Sequence, residues 1–400
     1  MARQIVVGID IGTSLVKVIV AEGILEHGRV VPKIIGTSSS ESKGVCRGYI
    51  TNTDEAAKSV KSAVNRAEKV AGVKIKRAYV SFGGIGLGSV VSSGSAAISK
   101  ADLEITERDL NTALEASEAA IPKATLINKR IINTVPIEYK IDGKIVWGQA
   151  LGLKAQKLEV KALFITCFEH HLSDLINTVE EAGVEVIDVV AAPVAASFVT
   201  LSKKQKRVGC LLVDIGAETL SIVVFENNNL TSLEVFPIGG NDITNNIALG
   251  IKVSLEEAES LKVNTEKRMA YSKKKLEETI SKQLEECFNL IKTHLKSIGR
   301  DALLPAGIIM TGGSANIYDL KSAAENSLKL PSQIAEIYFS TTTEGKIKDQ
   351  AWAVACGLSI VGFNADNEQR SIGIRNGSIF SDSGRRWGKM FLRWISQFLP

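Results

Sequence analysis

Cysteine is scarce: the five in this chain (46, 167, 210, 287 and 356) stand singly, odd in number and without a C-x-x-C pair. That excludes a disulfide framework or a zinc cluster as the organising device and leaves them as small core residues. A one-sided charge is missing too, since 48 Lys and Arg against 44 Asp and Glu give a net +4, which is no basic nucleic-acid binder. Histidine is rare, and in His170-His171 the two rings point apart on a helix or a strand, so a metal pair is not expected. Long hydrophobic runs are absent as well. The least polar, Val189 to Leu201, is too short to span a bilayer and carries Pro193. The opening Met1-Ala2-Arg3-Gln4 runs into a strand pattern without an h-region or cleavage site, so no signal peptide is expected. What is present is 45% hydrophobic residues over 400 positions, enough for two or more lobes of a cytosolic α/β protein.

The stretch Val7-Gly8-Ile9-Asp10-Ile11-Gly12-Thr13-Ser14-Leu15-Val16-Lys17 is an apolar run broken by Asp, turned at Gly and resumed through Val18-Ile19-Val20. It reads as a β-hairpin whose tip gathers backbone N–H groups, hydroxyls and an ammonium, which suits phosphates. Asp10 has the wrong sign for phosphate, and its natural role is to hold water on a Mg²⁺. Alone, the pattern also fits a plain hairpin turn. A second copy, Leu211 to Glu226, lies on the first without gaps, matching Asp10 with Asp214, Gly12 with Gly216 and Glu22 with Glu226. Two copies imply two halves facing across a cleft, with the phosphates between them.

Between the copies, Gly28 to Val31 and Lys33 to Thr37 read as strand, Ser38 to Gly44 as a polar loop, Thr53 to Ala71 as an amphipathic helix and Arg77 to Phe82 as strand. The glycines of Gly83 to Gly88 resemble a dinucleotide motif, but strand-like Val90-Val91 follows instead of a helix, so a domain hinge is the better account. An inserted β-α-β-β unit follows: strand Ser89 to Ile98, helix Thr106 to Ala120, strands Arg130 to Ile141 and Lys144 to Trp147, with a further strand Leu158 to Cys167. Thr106 and Asp109 have capping-box spacing. The chain returns near Leu163, forms a helix over Leu172 to Ala182, and passes through Ala192-Pro193-Val194-Ala195-Ala196, whose small residues suit a close helix crossing.

After the second hairpin, the glycines in Phe236 to Thr244 would let the backbone approach a phosphate at a helix N-terminus. Glu259 and Lys262 share a helical face, either as a solvated ion pair or as contacts to ribose and base. Residues 265 to 300 carry a helical stripe of Ile280, Leu284, Cys287, Phe288, Ile291 and Leu295, with Lys292 and Lys296 outward. Thr311-Gly312-Gly313-Ser314 is a third glycine turn.

The tail is different. Residues 364 to 384 read as a flexible linker, and residues 385 to 400 as an amphipathic helix. In that helix Trp387, Met390, Phe391, Trp394, Ile395 and Phe398 share one face while Arg386, Lys389 and Arg393 flank it. It is too short to span and is suited to an anionic membrane surface; docking on the protein's own core or on a partner is the alternative.

The ordered set of two D-I-G hairpins, A-P-V-A-A, a G-G turn, A-E-x-x-K and T-G-G-S resembles the superfamily of actin, heat-shock ATPases and sugar kinases. With the insert, the Pro237 to Thr244 run and the tail, the arrangement is similar to the FtsA family of bacterial actin-like cell-division proteins. That resemblance implies an actin-like, two-lobed α/β fold with duplicated RNase H-like halves. The first lobe core would be 1–88 and 163–205 with part of 351–363, the inserted domain 89–162, the second lobe core 206–230 and 300–350, and its helical subdomain 231–299. It also implies ATP contacts at Gly12, Thr13, Ser14, Lys17, Gly216, Ala217, Glu218, Thr219, Gly239, Gly240, Asn241, Glu259, Lys262, Gly312, Gly313 and Ser314, with Asp10 and Asp214 serving Mg²⁺ through water. Asn241 departs from the Asp expected in many relatives. The implied partners are the FtsZ C-terminal tail, docking within about 230–300 near Lys292 or Lys296, further copies in a polymer, later division proteins, and the inner face of the cytoplasmic membrane. No catalytic residue is identified, and hydrolysis is expected to be slow or absent. The rivals are an actin-like ATPase of pilus assembly and a small-molecule kinase.

Overall fold

The computed structural model describes residues 4–26, 29–146, 148–263, 273–317, 319–337, 339 and 347–371. The first lobe starts with β1 (Ile5–Ile11), which is buried along nearly its whole length as a central strand should be. It turns into β2 (Leu15–Glu26), with Asp10 opposite Lys17 in the antiparallel register. Then come β3 (Arg29–Glu41), the short β4 (Val45–Cys46) and β5 (Tyr49–Ile50), α1 (Thr53–Ala71) and β6 (Arg77–Phe82). Asn52 caps α1 by accepting from Glu55 N, and Gly72, at φ 67°, ends it by donating to Glu68 O. Residues 38 to 41, expected as loop, belong to β3. The hydroxyls of Ser38 and Ser40 donate to the carbonyls of Ala63 and Ser59 in α1, so a polar run is satisfied in a strand under a helix.

The insert comprises β7 (Gly88–Ala97), α2 (Glu107–Ala119), β8 (Lys129–Ile141), β9 (Lys144–Val146) and β10 (Lys157–Phe168). Its capping box forms as the spacing predicts, with Thr106 N donating to Asp109 Oδ2 at 2.8 Å. Its own small core contains Ile105, Leu114, Leu158, Val160 and Phe164. Because β10 is one unbroken strand, the chain leaves the insert only at α3 (Glu169–Glu181), later than the expected return at 163. The expected end of β9 at Trp147 lies outside the described residues. Next come β11 (Glu185–Ala191), α4 (Ala192–Thr200) and α5 (Lys203–Val208). His170 and His171 are less divergent than expected, with ring centroids 5.6 Å apart, and His171 stacks on Tyr49.

The second lobe holds β12 (Cys210–Ile215), β13 (Leu220–Glu226), β14 (Asn229–Phe236), α6 (Gly240–Ile251), α7 (Leu255–Val263), α8 (Lys273–Ser297), β15 (Ile308–Thr311), α9 (Leu320–Leu328) and β16 (Ser332–Ile334). Residues 231 to 236 are therefore sheet, and the helical part begins at Gly240. The stripe on α8 is buried as read from its spacing, and each such side chain contributes about 1.5–3 kcal/mol. The last described element is α10 (Ala353–Ser371). This helix packs on the first lobe, where a Cβ on Gly357 would stand 1.9 Å from Ala195 O of α4, so the two helices cross closely where small residues were read. Residues 364 to 371 continue this helix rather than starting a linker. The rest of the linker and the whole 385–400 segment lie outside the described residues.

The duplication is explicit in the topology. The first lobe sheet has the order β11-β6-β1-β2-β3, and the second lobe contributes β16-β15-β12-β13-β14. In each, an antiparallel three-strand meander is flanked by two parallel strands. One connection was not foreseen: the insert's strands extend the second lobe's sheet, through β14 and β7, into nine strands. The insert is thus bonded to the lobe that its chain neighbours do not belong to. Ser89 Oγ donates to Leu233 O at 3.0 Å and accepts from Leu233 N at 2.8 Å, and Asn229 Nδ2 donates to Ile137 O at 2.7 Å.

Candidate functional site

Both hairpin tips open into one cavity of about 980 Å³. The two turns are built alike: Gly12 N donates to Leu15 O at 3.1 Å, and Gly216 N donates to Thr219 O at 2.8 Å. These N–H groups therefore close the turns and are not offered to a ligand. The next two in each turn, on Thr13 and Ser14 and on Ala217 and Glu218, meet no acceptor among the described residues. Unpaired N–H groups at two facing tips form an anion nest. Asp10, Lys17, Asp214, Thr219, Asn241, Glu259, Lys262, Gly312, Gly313 and Ser314 also line the cavity.

The charged groups are ordered by one another. Lys17 Nζ lies 3.4 Å from Asp10 Oδ2, while Ser81 Oγ donates to Asp10 Oδ1 at 2.7 Å. Burial, and then the charge of Asp10, push the Asp214 carboxyl up to about 6 against the pull of Lys17. Among the described residues no three His, Cys, Asp or Glu form a ligand cluster. A magnesium ion does not need one, because it keeps several waters and takes one or two carboxylates plus phosphate oxygens. Asp10 and Asp214, lining one cavity, fit that requirement. The Glu259–Lys262 pair is not a solvated surface bridge. Lys262 Nζ is buried and donates to Glu259 Oε2 at 2.7 Å, Thr244 Oγ1 at 2.9 Å and Gly240 O at 3.1 Å.

Three of the expected contacts are already engaged within the protein. Gly239 and Gly240 do not line the cavity. Gly239 N donates to Asp242 Oδ2 in the cap of α6, while Gly240 N donates to Gly216 O and Asn241 N to Ala217 O, so this backbone is spent on its own helix cap and on holding the second hairpin. Their missing Cβ atoms permit the approach: one on Gly239 would stand 2.6 Å from Ala217 O, and one on Gly240 would stand 2.1 Å from Ser314 Oγ. Asn241 reaches the cavity by its side chain only. Glu218 lines the cavity, but its carboxylate is engaged across the cleft, Oε2 accepting from Arg47 N of the first lobe at 2.8 Å and Oε1 lying 3.5 Å from Asn241 Nδ2. Sequence reasoning missed Gly48, Gly83, Asn245, Leu255, Glu256, Asn316 and Asp349 to Ala351 in the lining. Of these, Gly83 stands in the glycine run read as a hinge, and Asp349 caps its turn by accepting from Ala351 N. Lys292 and Lys296 lie on α8, outside this cavity.

Two duplicated halves closing on a shared anion nest define an actin-like protein. Solved structures of that build agree: the chain superposes on one titled "PilM-PilN type IV pilus biogenesis complex" with a TM-score of 0.65 and 16% identity, covering 89% of this chain and 98% of the other. It also superposes on MreB5 of Spiroplasma citri bound to ADP with a TM-score of 0.51 and 12% identity, covering 93% and 99%. Residues 211–357 match the family model described as cell division protein FtsA, and residues 84–166 match the SHS2 domain inserted in FTSA. The chain is 30% identical to cell division protein FtsA of Bacillus subtilis over 355 residues, 83% of this chain and 79% of the relative. It is 27% identical to that of Pseudomonas aeruginosa over 401 residues, 95% and 94%. The chain belongs to the FtsA family and is an actin-like cell-division protein.

Proposed function

We propose that the cavity binds ATP with Mg²⁺ and that the chain polymerises on the cytoplasmic face of the membrane at the division site, where it tethers the FtsZ ring and recruits later division proteins. The observation that carries the nucleotide reading is the pair of facing turns with unspent N–H groups, beside two carboxylates suited to water-mediated magnesium. Thr13, Ser14 and Ala217 would hold the phosphates, Asp10 and Asp214 the ion, and Glu259, Lys262 and Gly313 the nucleoside. The related fold of MreB5 with ADP supports the same direction.

Membrane attachment rests on sequence alone. No helix among the described residues is long and apolar enough to cross a membrane. The 385–400 segment, with its aromatic face flanked by Arg386, Lys389 and Arg393, would lie in the headgroup boundary. FtsZ-tail docking on the helical subdomain near Lys292 and Lys296 is part of the same reading. Hydrolysis should be slow: Asp10 is paired, Glu218 is bonded to Arg47 and Glu259 to Lys262, which leaves few carboxylates to act as a base.

The test is co-sedimentation of the full chain with anionic vesicles, with ATP affinity measured on the same protein. Trp394→Glu should abolish sedimentation and leave ATP binding intact. Undiminished sedimentation of that variant would sink the tether, and a wild type that binds no ATP would sink the nucleotide assignment.

A further inference from the structure

The glycine run Gly83 to Gly88 and the turn between β4 and β5 reach the cavity wall only at Gly83 and Gly48, and they pack on each other at the cleft's edge. Gly48 N donates to Thr13 Oγ1 at 3.2 Å, and Arg47 N donates to Glu218 Oε2 at 2.8 Å. One three-residue stretch therefore touches the anion-nest turns of both lobes. Its other side bears on the glycine run. A Cβ on Gly48 would stand 2.6 Å from Gly84 Cα, one on Gly84 would stand 2.7 Å from the Tyr49 ring, and one on Gly86 would stand 2.5 Å from Phe168 and 2.9 Å from the Tyr49 hydroxyl. Tyr49 stacks on His171 with centroids 3.5 Å apart, just past the end of β10. Gly83 to Gly88 and Phe168 to His171 are the two chain connections between first lobe and insert, and Tyr49 lies against both.

The insert is sheet-bonded to the second lobe through β14 and β7, while its chain connections belong to the first. A change in the angle between the lobes would therefore load those two connections, together with the core that Ile132, Val135, Leu163 and Ile165 of the insert share with the first lobe. Glycines at φ 74° (Gly48) and 84° (Gly86) supply backbone that can take it up.

We propose that Arg47–Gly48–Tyr49 is a coupling element: Glu218 latches it to the second lobe when the cleft closes on its ligand, and Tyr49 passes that state to the roots of the insert. Glu218 is on this account a positioning residue that reports cleft closure rather than a phosphate contact. Nucleotide occupancy would thereby set the orientation of the domain that faces other proteins. The coupling rests on the reading of the cavity as a nucleotide site.

Amide hydrogen exchange on the full chain, with and without saturating Mg·ATP and with binding verified by calorimetry, tests it. In the wild type, ATP should slow exchange at 13–14, 46–49, 83–88 and 168–171 by about fivefold or more, the scale of an ordinary coupling free energy. Glu218→Ala should keep the effect at 13–14 and lose it at the other three segments. Tyr49→Leu should keep it at 46–48 and lose it at 83–88 and 168–171; should that variant not fold, Glu218→Ala decides alone. ATP that binds the wild type yet leaves 83–88 and 168–171 unchanged would overturn the coupling while sparing the nucleotide site, as would full protection retained in Glu218→Ala. A wild type that binds no ATP would overturn both.

Discussion

Replacing each of two adjacent glycines separates a turn that folding needs from a surface that a ligand needs. Gly312 has φ 96°, and a Cβ there would stand 2.3 Å from Asp214 Oδ1 and 2.5 Å from Ile215 O. Gly312→Ala therefore meets left-handed strain of about 1–2 kcal/mol and an overpacking cost of about 1–3 kcal/mol, roughly 2–5 kcal/mol in all. Scaled to a large domain, that lowers the melting temperature by roughly 5–15 °C. Gly313 is the opposite case. It lines the cavity, and the nearest atom to its added Cβ is Ala351 Cβ at 3.9 Å. Gly313→Asp should fold normally and project a carboxylate into the ligand's space. A carboxylate pressed against the nucleoside there loses its hydration without gaining a partner, which costs about 1–3 kcal/mol or more, before any steric exclusion. The expected loss of ATP affinity is about 100-fold or more. Thermal scans and Mg·ATP titration of Gly312→Ala, Gly313→Ala and Gly313→Asp give both readouts, with Gly313→Ala close to wild type in each. A Gly313→Asp protein with wild-type melting and unchanged ATP affinity would refute the cavity as the nucleotide site. A Gly312→Ala protein that melts like the wild type would refute the packing argument.

Asp214 has a carboxyl raised from 3.8 to about 6, so between those values the folded state binds more protons than the unfolded, and stability falls as pH rises. Its cost is fully present above about pH 6, and Asp214→Asn should raise unfolding free energy there by about 1–3 kcal/mol, a gain that shrinks towards pH 4. Urea melts at pH 8 and pH 5 showing an equal gain would contradict the burial account. Lys262→Met removes a buried donor to Glu259, Thr244 and Gly240 O. Because half of the Glu259 side chain is exposed and can rehydrate, the expected loss is about 1–3 kcal/mol, seen as a lower denaturant midpoint at unchanged slope. An unaltered midpoint would count against the network.

Short-range patterns were readable because the residues that make them are neighbours in the chain. The D-I-G hairpins, the Thr106 capping box, the α8 stripe and the close crossing at Ala195 each follow from spacing. Their repetition exposed the two-lobed architecture before any contact was known. Bonds spent elsewhere were not readable. Gly239 to Asn241 look like a phosphate loop, and only their packing against the second hairpin reveals that their N–H groups are already committed. Ser38 to Glu41 look like loop until α1 supplies acceptors for their hydroxyls.

Periodicity and motif order in the chain alone determined that there would be two similar halves, a small inserted domain and a cleft lined by Asp10 and Asp214. Tertiary structure alone decided that the insert joins the sheet of the opposite lobe, and that the Glu218 carboxylate reaches across the cleft to accept from Arg47 N. The physical reason is that hydrogen bonds between strands and across a cleft depend on where distant segments come to lie, which no local spacing encodes.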